Sequence, residues 1–305
     1  MRLLIVGAGA TGGYFGGRLA AAGRDVTFLV REKRAEQLRR DGLVIQSPHG
    51  DLTLQPKFVT AGELKAAFDA ILVTVKAYAL TAAMDDIAPA VGPQTMIVPV
   101  LNGMRHIEDL QQRFGADKIV GGVCRIASML DDKGHILQLA DFQDVVYGEL
   151  DGSTSSRTQG LHQFMQGAGF NAQLSSHIRQ DLWNKWIMLA GMGVSTTLMR
   201  GSVGDIEAAG GVPFVHAVID EIAGVAAAHG HAPAPGYIEV VRGMLTKKGS
   251  PMASSMYRDL MQGLPIEADH IVGDLVSRAR EKGVKTPLLE ADYINLCVYQ
   301  NRLKR

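Results

Sequence analysis

Cysteine is almost absent: Cys124 and Cys297 are the only two among 305 residues. Both sit in apolar surroundings without metal-ligand spacing, which argues against a thiolate metal site or a disulfide framework and for reduced, space-filling thiols. The histidines, His106 and His135 among them, show no paired ligand spacing either, so no metal is expected. Net charge is also missing. The 31 basic and 31 acidic residues cancel, leaving no general electrostatic grip on nucleic acid or an anionic membrane. Long apolar runs are lacking too: Trp186 to Met199 is too short and too interrupted to span a bilayer. The opening apolar residues read as a strand and not as a signal peptide, and a cytoplasmic protein is expected. No repeat or low-complexity segment occurs. Glycine, by contrast, is plentiful at 35 residues, as α/β turns and close approach to a cofactor require.

The glycines concentrate where chemistry needs them. A short apolar strand, Leu3–Val6, runs into Gly7-Ala8-Gly9-Ala10-Thr11-Gly12, followed by an Ala/Gly-rich helix from Tyr14 to Ala22. Gly7 permits the tight turn off the strand, Gly9 the approach of backbone to a pyrophosphate, and Gly12 the close packing of helix on strand. The helix N-terminus would then face the phosphates. This is a dinucleotide-binding fingerprint.

The first half continues in a strand–helix rhythm. Further strands are expected at Asp25–Val30, Ala70–Val75, Met96–Leu101 and Lys118–Gly121, with helices at Arg34–Arg40 and Ala79–Ile87. Near-continuous apolar strands of this kind imply a doubly wound parallel sheet covered on both faces. Gly134–Leu139 and Asp144–Gly148 read as a late antiparallel pair, Asp151–Arg157 as a surface loop, and Thr158–Gly167 as a helix. From about Ser175 strand signals fade. Helices are expected at His177–Met199, Gly211–His229, Tyr237–Lys248, Ser254–Gly263, Glu267–Lys282 and Pro287–Arg305, the first capped by Ser175 or Ser176. The reading is therefore an α/β chain: a Rossmann-type domain over 1–175 and an all-helical substrate domain over 176–305.

Three strand ends carry candidate functional residues. The second strand ends in Arg31, followed by Glu32, Lys33 and Arg34, where an acid would favour NAD. A guanidinium there can hold a 2′-phosphate by forked, charge-assisted hydrogen bonds, so NADPH is the expected cofactor. Lys76 and Asn102 lie just past the next two strands, on the side where open parallel sheets bind ligands. Lys185 heads the apolar run Trp186-Ile-Met-Leu-Ala, and burial would lower its pKa from the ordinary value of about 10.4 towards a range useful for acid catalysis. Glu267 shares a helical stripe with Ile271 and Leu275, where a carboxylate is costly unless paired.

Taken together, these pieces resemble the ketopantoate reductase family, NADPH-dependent enzymes that reduce 2-dehydropantoate to pantoate. The resemblance runs through the fingerprint, the basic end of strand two, Thr-Val-Lys76-Ala, Asn102-Gly-Met, Asp181-Leu-Trp-Asn-Lys185, Ser254-Ser-Met and Ile266-Glu267. It implies Lys185 as general acid and Glu267 as a catalytic or substrate-holding carboxylate. Asn102 would touch the nicotinamide end and the substrate, Ser255 the substrate carboxylate, and Lys76 and Ala127 the cofactor. The implied reaction is reduction of a 2-oxo acid to a 2-hydroxy acid, as in pantothenate biosynthesis.

One departure stands out. Where better-known members carry asparagines four and eight residues after the lysine, this chain has Leu189 and Gly193. Loss of two amides would widen the site and weaken discrimination for a polar substrate. Arg105, His106 or Arg200 could supply replacement contacts. The competing readings are a reductase of a different, less polar ketone and a non-catalytic NADP(H)-binding sensor. Expected partners are a small 2-oxo acid and, as a homodimer, a second copy of the chain; neither nucleic acid nor a membrane is expected.

Overall fold

A computed structural model describes residues 1–304. The chain forms two compact units: residues 1–101 with 106–178, and residues 102–105 with the chain from Arg179 onward. In chain order the first part comprises β1 (Arg2–Val6), α1 (Ala10–Ala21), β2 (Asp25–Leu29), α2 (Glu32–Asp41), β3 (Leu43–Gln46), β4 (Leu52–Leu54) and β5 (Phe58–Val59). It continues through β6 (Ala70–Val73), α3 (Leu80–Ile87), β7 (Met96–Pro99), α4 (Arg105–Phe114), β8 (Val120–Leu130), β9 (Ile136–Glu149), α5 (Ser156–Met165) and β10 (Asn171–Leu174).

One sheet is all parallel, in the order β5-β2-β1-β6-β7. Leu3, Leu4, Ile5, Ile71 and Ile97 are fully buried, as central strands covered on both faces demand. The expected strands at residues 3, 25, 70 and 96 are all present. The second sheet, β10-β9-β3-β4 with β8 on β9, corrects the sequence reading. Gly134–Leu139 and Asp144–Gly148 do not pair with each other. They fall almost entirely on the single strand β9, whose antiparallel partner is β8. Asp141 in mid-strand reads as a turn residue, but the ladder absorbs the break as a bulge in which residues 139–142 face Ala127. Lys118–Gly121 pairs with the parallel sheet through a bridge from Ile119 to Ile97, and the chain enters β8 at Val120. The strands β3, β4, β5 and β10 escaped sequence reading because none is long enough to display a period.

The second part comprises α6 (Ile178–Met199), α7 (Val203–Ala208), α8 (Val212–Ala228), α9 (Pro235–Leu245), α10 (Ser255–Met261), α11 (Asp274–Glu281) and α12 (Pro287–Leu303). It is helical, as expected; the short α7 is an addition. The Glu267–Lys282 helix is not uniform, because a π-helical turn at Asp269–Gly273 precedes α11. Helix α6 forms the core of this unit: Leu182, Trp183, Trp186, Ile187, Ala190 and Val194 are all buried. Ser175 Oγ accepts from the His177 amide at 2.9 Å, just ahead of α6. Glu221 of α8 caps α12, its carboxylate accepting from the amides of Leu288 and Leu289 at 3.0 Å each, a favourable place for negative charge. Among the described residues no helix is long and apolar enough to cross a membrane.

Candidate active site

The fingerprint residues form a cradle at the start of α1. Gly7 donates its amide to Leu29 at 3.0 Å, which ties the turn to β2. A Cβ on Gly12 would collide with the Gly7 carbonyl and the Thr74 hydroxyl, so only glycine lets α1 approach this closely. Gly9 faces open space: a Cβ there would meet nothing within 4 Å. It is also the cap residue of α1, which has no side-chain cap and no acid in its first turn. The helix N-terminus formed by Ala10, Thr11 and Gly12 thus keeps its positive end un-neutralised beside open space, with Ala8 in the loop before it. These residues fit the pyrophosphate of a dinucleotide.

Arg31 is exposed at the cap position of α2. Glu32 pairs with Arg39 at 2.9 Å. Lys76 is half-buried just past β6, at the start of a 3₁₀ turn over Ala77–Ala79. Ala127 sits at the β8–β9 bulge, half-buried; bulges commonly re-aim side chains next to active sites. The sequence reading passed over Arg34, which turns inward to the fingerprint. Nothing in the local sequence marks it, because the carbonyls it meets belong to Ala8 and Gly134.

Asn102, Lys185, Ser255 and Glu267 belong to the same compact unit. Contacts between their immediate neighbours assemble the segments that carry them. Lys185 is half-buried on α6, and the indole of the next residue, Trp186, donates to the Ile271 carbonyl at 3.0 Å. Ile271 in turn donates its amide to the Glu267 carbonyl at 3.0 Å, and Glu267 is 6% exposed. The π-turn has a part in this geometry, since inserting a residue shifts the carbonyl pattern of the helix. Asn102 precedes Gly103, whose φ is +79° and whose missing Cβ would collide with the His270 carbonyl. Only glycine allows this loop to rest on the π-turn.

The Ser254–Ser255 pair divides its roles. Ser254 caps α10, accepting from the Tyr257 amide at 3.0 Å, and hydrogen-bonds Thr196 of α6 at 2.9 Å. Ser255 is the first residue of α10 and is half-buried. Its other neighbour, Met256, sets its terminal methyl 3.2 Å from where a Cβ of Gly193 would lie. The expectation that Gly193 widens the site is therefore corrected, because Met256 occupies that space. Leu189 is half-buried one turn after Lys185.

The cations suggested as replacements divide as well. Arg105 is exposed, while His106 is fully buried. Arg200 takes a left-handed φ of 55° at the end of α6, donates to Asn295 at 3.1 Å and accepts from the Tyr257 hydroxyl at 3.0 Å. That arrangement closes a helix end. Near it lies Asp292, fully buried, which accepts from the Thr197 hydroxyl at 3.0 Å. Burial pushes the Asp292 pKa up to about 7, against the opposing hydrogen bonds from Asn295 and Thr197 and the charge of Arg200. Sequence periodicity on α12 gave no hint of this carboxylate.

Comparison with known proteins adds family context. The family model described as ketopantoate reductase PanE/ApbA matches residues 3–152, and its C-terminal counterpart matches residues 177–296. An uncharacterized oxidoreductase, YkpB of Bacillus subtilis, is 38% identical over 98% of this chain and 99% of its own. The crystal structure of a 2-dehydropantoate 2-reductase from Geobacter metallireducens has 28% identity and a TM-score of 0.89, covering 97% of this chain and 99% of its own. D-mandelate dehydrogenase, solved with NADH and anilino(oxo)acetate, shares the fold at a TM-score of 0.89 and 22% identity over the whole of both chains.

Proposed function

This chain belongs to the ketopantoate reductase family of oxidoreductases acting on CH–OH groups, and from that premise we propose that it reduces a 2-oxo acid to the 2-hydroxy acid with NADPH. The observation that carries this reading is the linkage of the segments bearing Lys185 and Glu267 through the Trp186 indole and Ile271. It supports a reading in which Lys185 would act as proton donor beside the buried Glu267 on a packed, non-loop scaffold.

The dinucleotide would supply the hydride that reduces the carbonyl carbon. Lys185 would give a proton from Nζ to the carbonyl oxygen as negative charge grows there. Asn102 would donate a hydrogen bond to the same oxygen and fix its orientation. Ser255, exposed in part at the start of α10, would hold the substrate carboxylate, and Glu267 would hold the substrate or set the state of the lysine. Gly7 to Gly12 would hold the pyrophosphate, Arg31 the 2′-phosphate, and Lys76 and Ala127 the rest of the cofactor.

Conversion of ketopantoate to pantoate is one candidate reaction. The apolar Leu189, with the Met256 methyl beside Gly193 where an amide would otherwise project, favours a less polar 2-oxo compound. Each missing hydrogen bond costs about 0.5–1.5 kcal/mol, so ketopantoate should lose one or two orders of magnitude in efficiency. A steady-state panel of 2-oxo acids with NADPH tests this. The expected result is a higher kcat/KM for a less polar acid than for ketopantoate. A ketopantoate kcat/KM of about 10⁵ M⁻¹s⁻¹ or more, unmatched by any other acid, would overturn the substrate assignment. NADPH oxidation with none of them would overturn the reductase reading.

A further inference from the structure

Among the cations after β2, Arg34 is the one tied to the fingerprint. Its Nε donates to the Ala8 carbonyl at 3.0 Å, and its Nη1 donates to the Gly134 carbonyl at 2.8 Å and to Gln37 Oε1 at 2.6 Å. One guanidinium thus joins the fingerprint loop, α2 and the turn between β8 and β9. Its Nη2 is buried without a partner, and burial holds its pKa below the ordinary arginine value. A residue serving stability alone gains little from a desolvated cation with an unsatisfied donor.

The loop itself shows what the tether accomplishes. The single Thr74 hydroxyl proton is shared between the carbonyls of Val6 at 2.8 Å and Gly7 at 3.2 Å, and Arg34 takes the next one, Ala8. Three successive carbonyls are therefore fixed by side chains. Each shares a rigid, trans peptide plane with the amide that follows, so fixing a carbonyl turns that N–H the opposite way. Thr74 sets the amides of Gly7 and Ala8; Arg34 sets the amide of Gly9, the residue that faces open space at the head of α1.

We propose that Arg34 is a positioning residue for the dinucleotide, holding the Ala8–Gly9 peptide in its anion-binding orientation and serving NADPH and NADH alike. This differs from Arg31, whose proposed contact is to the 2′-phosphate alone. It rests on dinucleotide binding at the fingerprint, and the test separates the two claims.

Dissociation constants for both cofactors are measured from the fluorescence of bound reduced nicotinamide, with thermal unfolding recorded for each variant. Arg34→Met, which keeps the bulk of the stem, should raise both constants by the same factor, about tenfold for a lost charge-assisted hydrogen bond. Arg34→Lys should recover little, because one ammonium cannot reproduce a fork spanning two carbonyls. Gln37→Ala, a milder change at a half-buried position, should raise both constants by about threefold as Nη1 loses an acceptor, and it decides the matter should Arg34→Met fail to fold. A loss confined to NADPH would make Arg34 a 2′-phosphate contact and overturn the proposal. Unchanged constants in the Gln37 and Arg34 variants, with only the melting temperature lowered, would reduce Arg34 to a structural residue. Binding of neither cofactor by the native chain would overturn this proposal and the cofactor reading together.

Discussion

The two units build their candidate sites from different material. In the first, consecutive residues from Gly7 to Gly12 form the cradle, and backbone amides with a helix N-terminus would do the binding. In the second, Asn102, Lys185, Ser255 and Glu267 come from well-separated segments, and side chains would do the chemistry. A backbone site depends on what is absent: the missing Cβ at Gly12 and the missing side-chain cap at Gly9. A side-chain site depends on the contacts that join its segments. Here these are the Trp186 indole on the Ile271 carbonyl, the Ser254–Thr196 hydroxyl pair, and Gly103 seated on the His270 carbonyl. Binding and catalysis should therefore fail separately when either material is damaged.

The largest effect expected from this contrast falls on turnover. Lys185→Ala should lower kcat by about 10²–10⁴-fold, the usual contribution of a general acid, while the NADPH dissociation constant stays near the native value. Turnover of the best substrate at the native rate would make Lys185 structural.

Next in size is cofactor choice. Arg31→Ala should weaken NADPH by roughly 1.5–3 kcal/mol, the worth of a hydrogen bond to a charged group, and leave NADH nearly unchanged. Titration of both cofactors into both proteins measures this. Equal affinity of the native protein for NADPH and NADH would remove the basis of the assignment.

The effect most remote from either site concerns the stability of the helical unit. Asp292 has a folded-state pKa raised to about 7, so the unfolded chain releases its proton first as pH rises. Between about pH 4 and pH 7 the folded state holds more protons, and Asp292 should lower stability progressively across that window, with no further change above it. Denaturant unfolding at several pH values should show Asp292→Asn with a flatter profile between pH 4 and 7 than the native protein. Parallel profiles would contradict the assigned burial effect.

The same contrast explains what could be read from the chain alone. The cradle was legible because a contiguous run of small residues after an apolar strand is local information, and the parallel sheet was legible because buried strands are continuously apolar. Lys185 and Glu267 stood out because charges on apolar helical faces are anomalous. Their linkage was not legible, since it depends on a π-turn that no periodicity announces and on an indole–carbonyl bond between residues 186 and 271. Arg34 was hidden for a related reason: its partners at positions 8 and 134 are far apart in sequence. The β8–β9 ladder was misread because the bulge at residues 139–142 splits one strand into two apparent pieces, and Gly193 because Met256 fills the space its side chain lacks.

The claim that cofactor binding and proton donation are separable tasks is tested most directly by a double-variant cycle. The NADPH dissociation constant and the single-turnover rate at saturating cofactor are measured for the native protein, Arg31→Ala, Lys185→Ala and the combined variant. Independent sites add to within roughly 0.3–0.5 kcal/mol. The account predicts that the combined variant has the dissociation constant of Arg31→Ala and the rate of Lys185→Ala. A dissociation constant further raised by Lys185→Ala, or a rate further lowered by Arg31→Ala, by more than about threefold in either case, would contradict it.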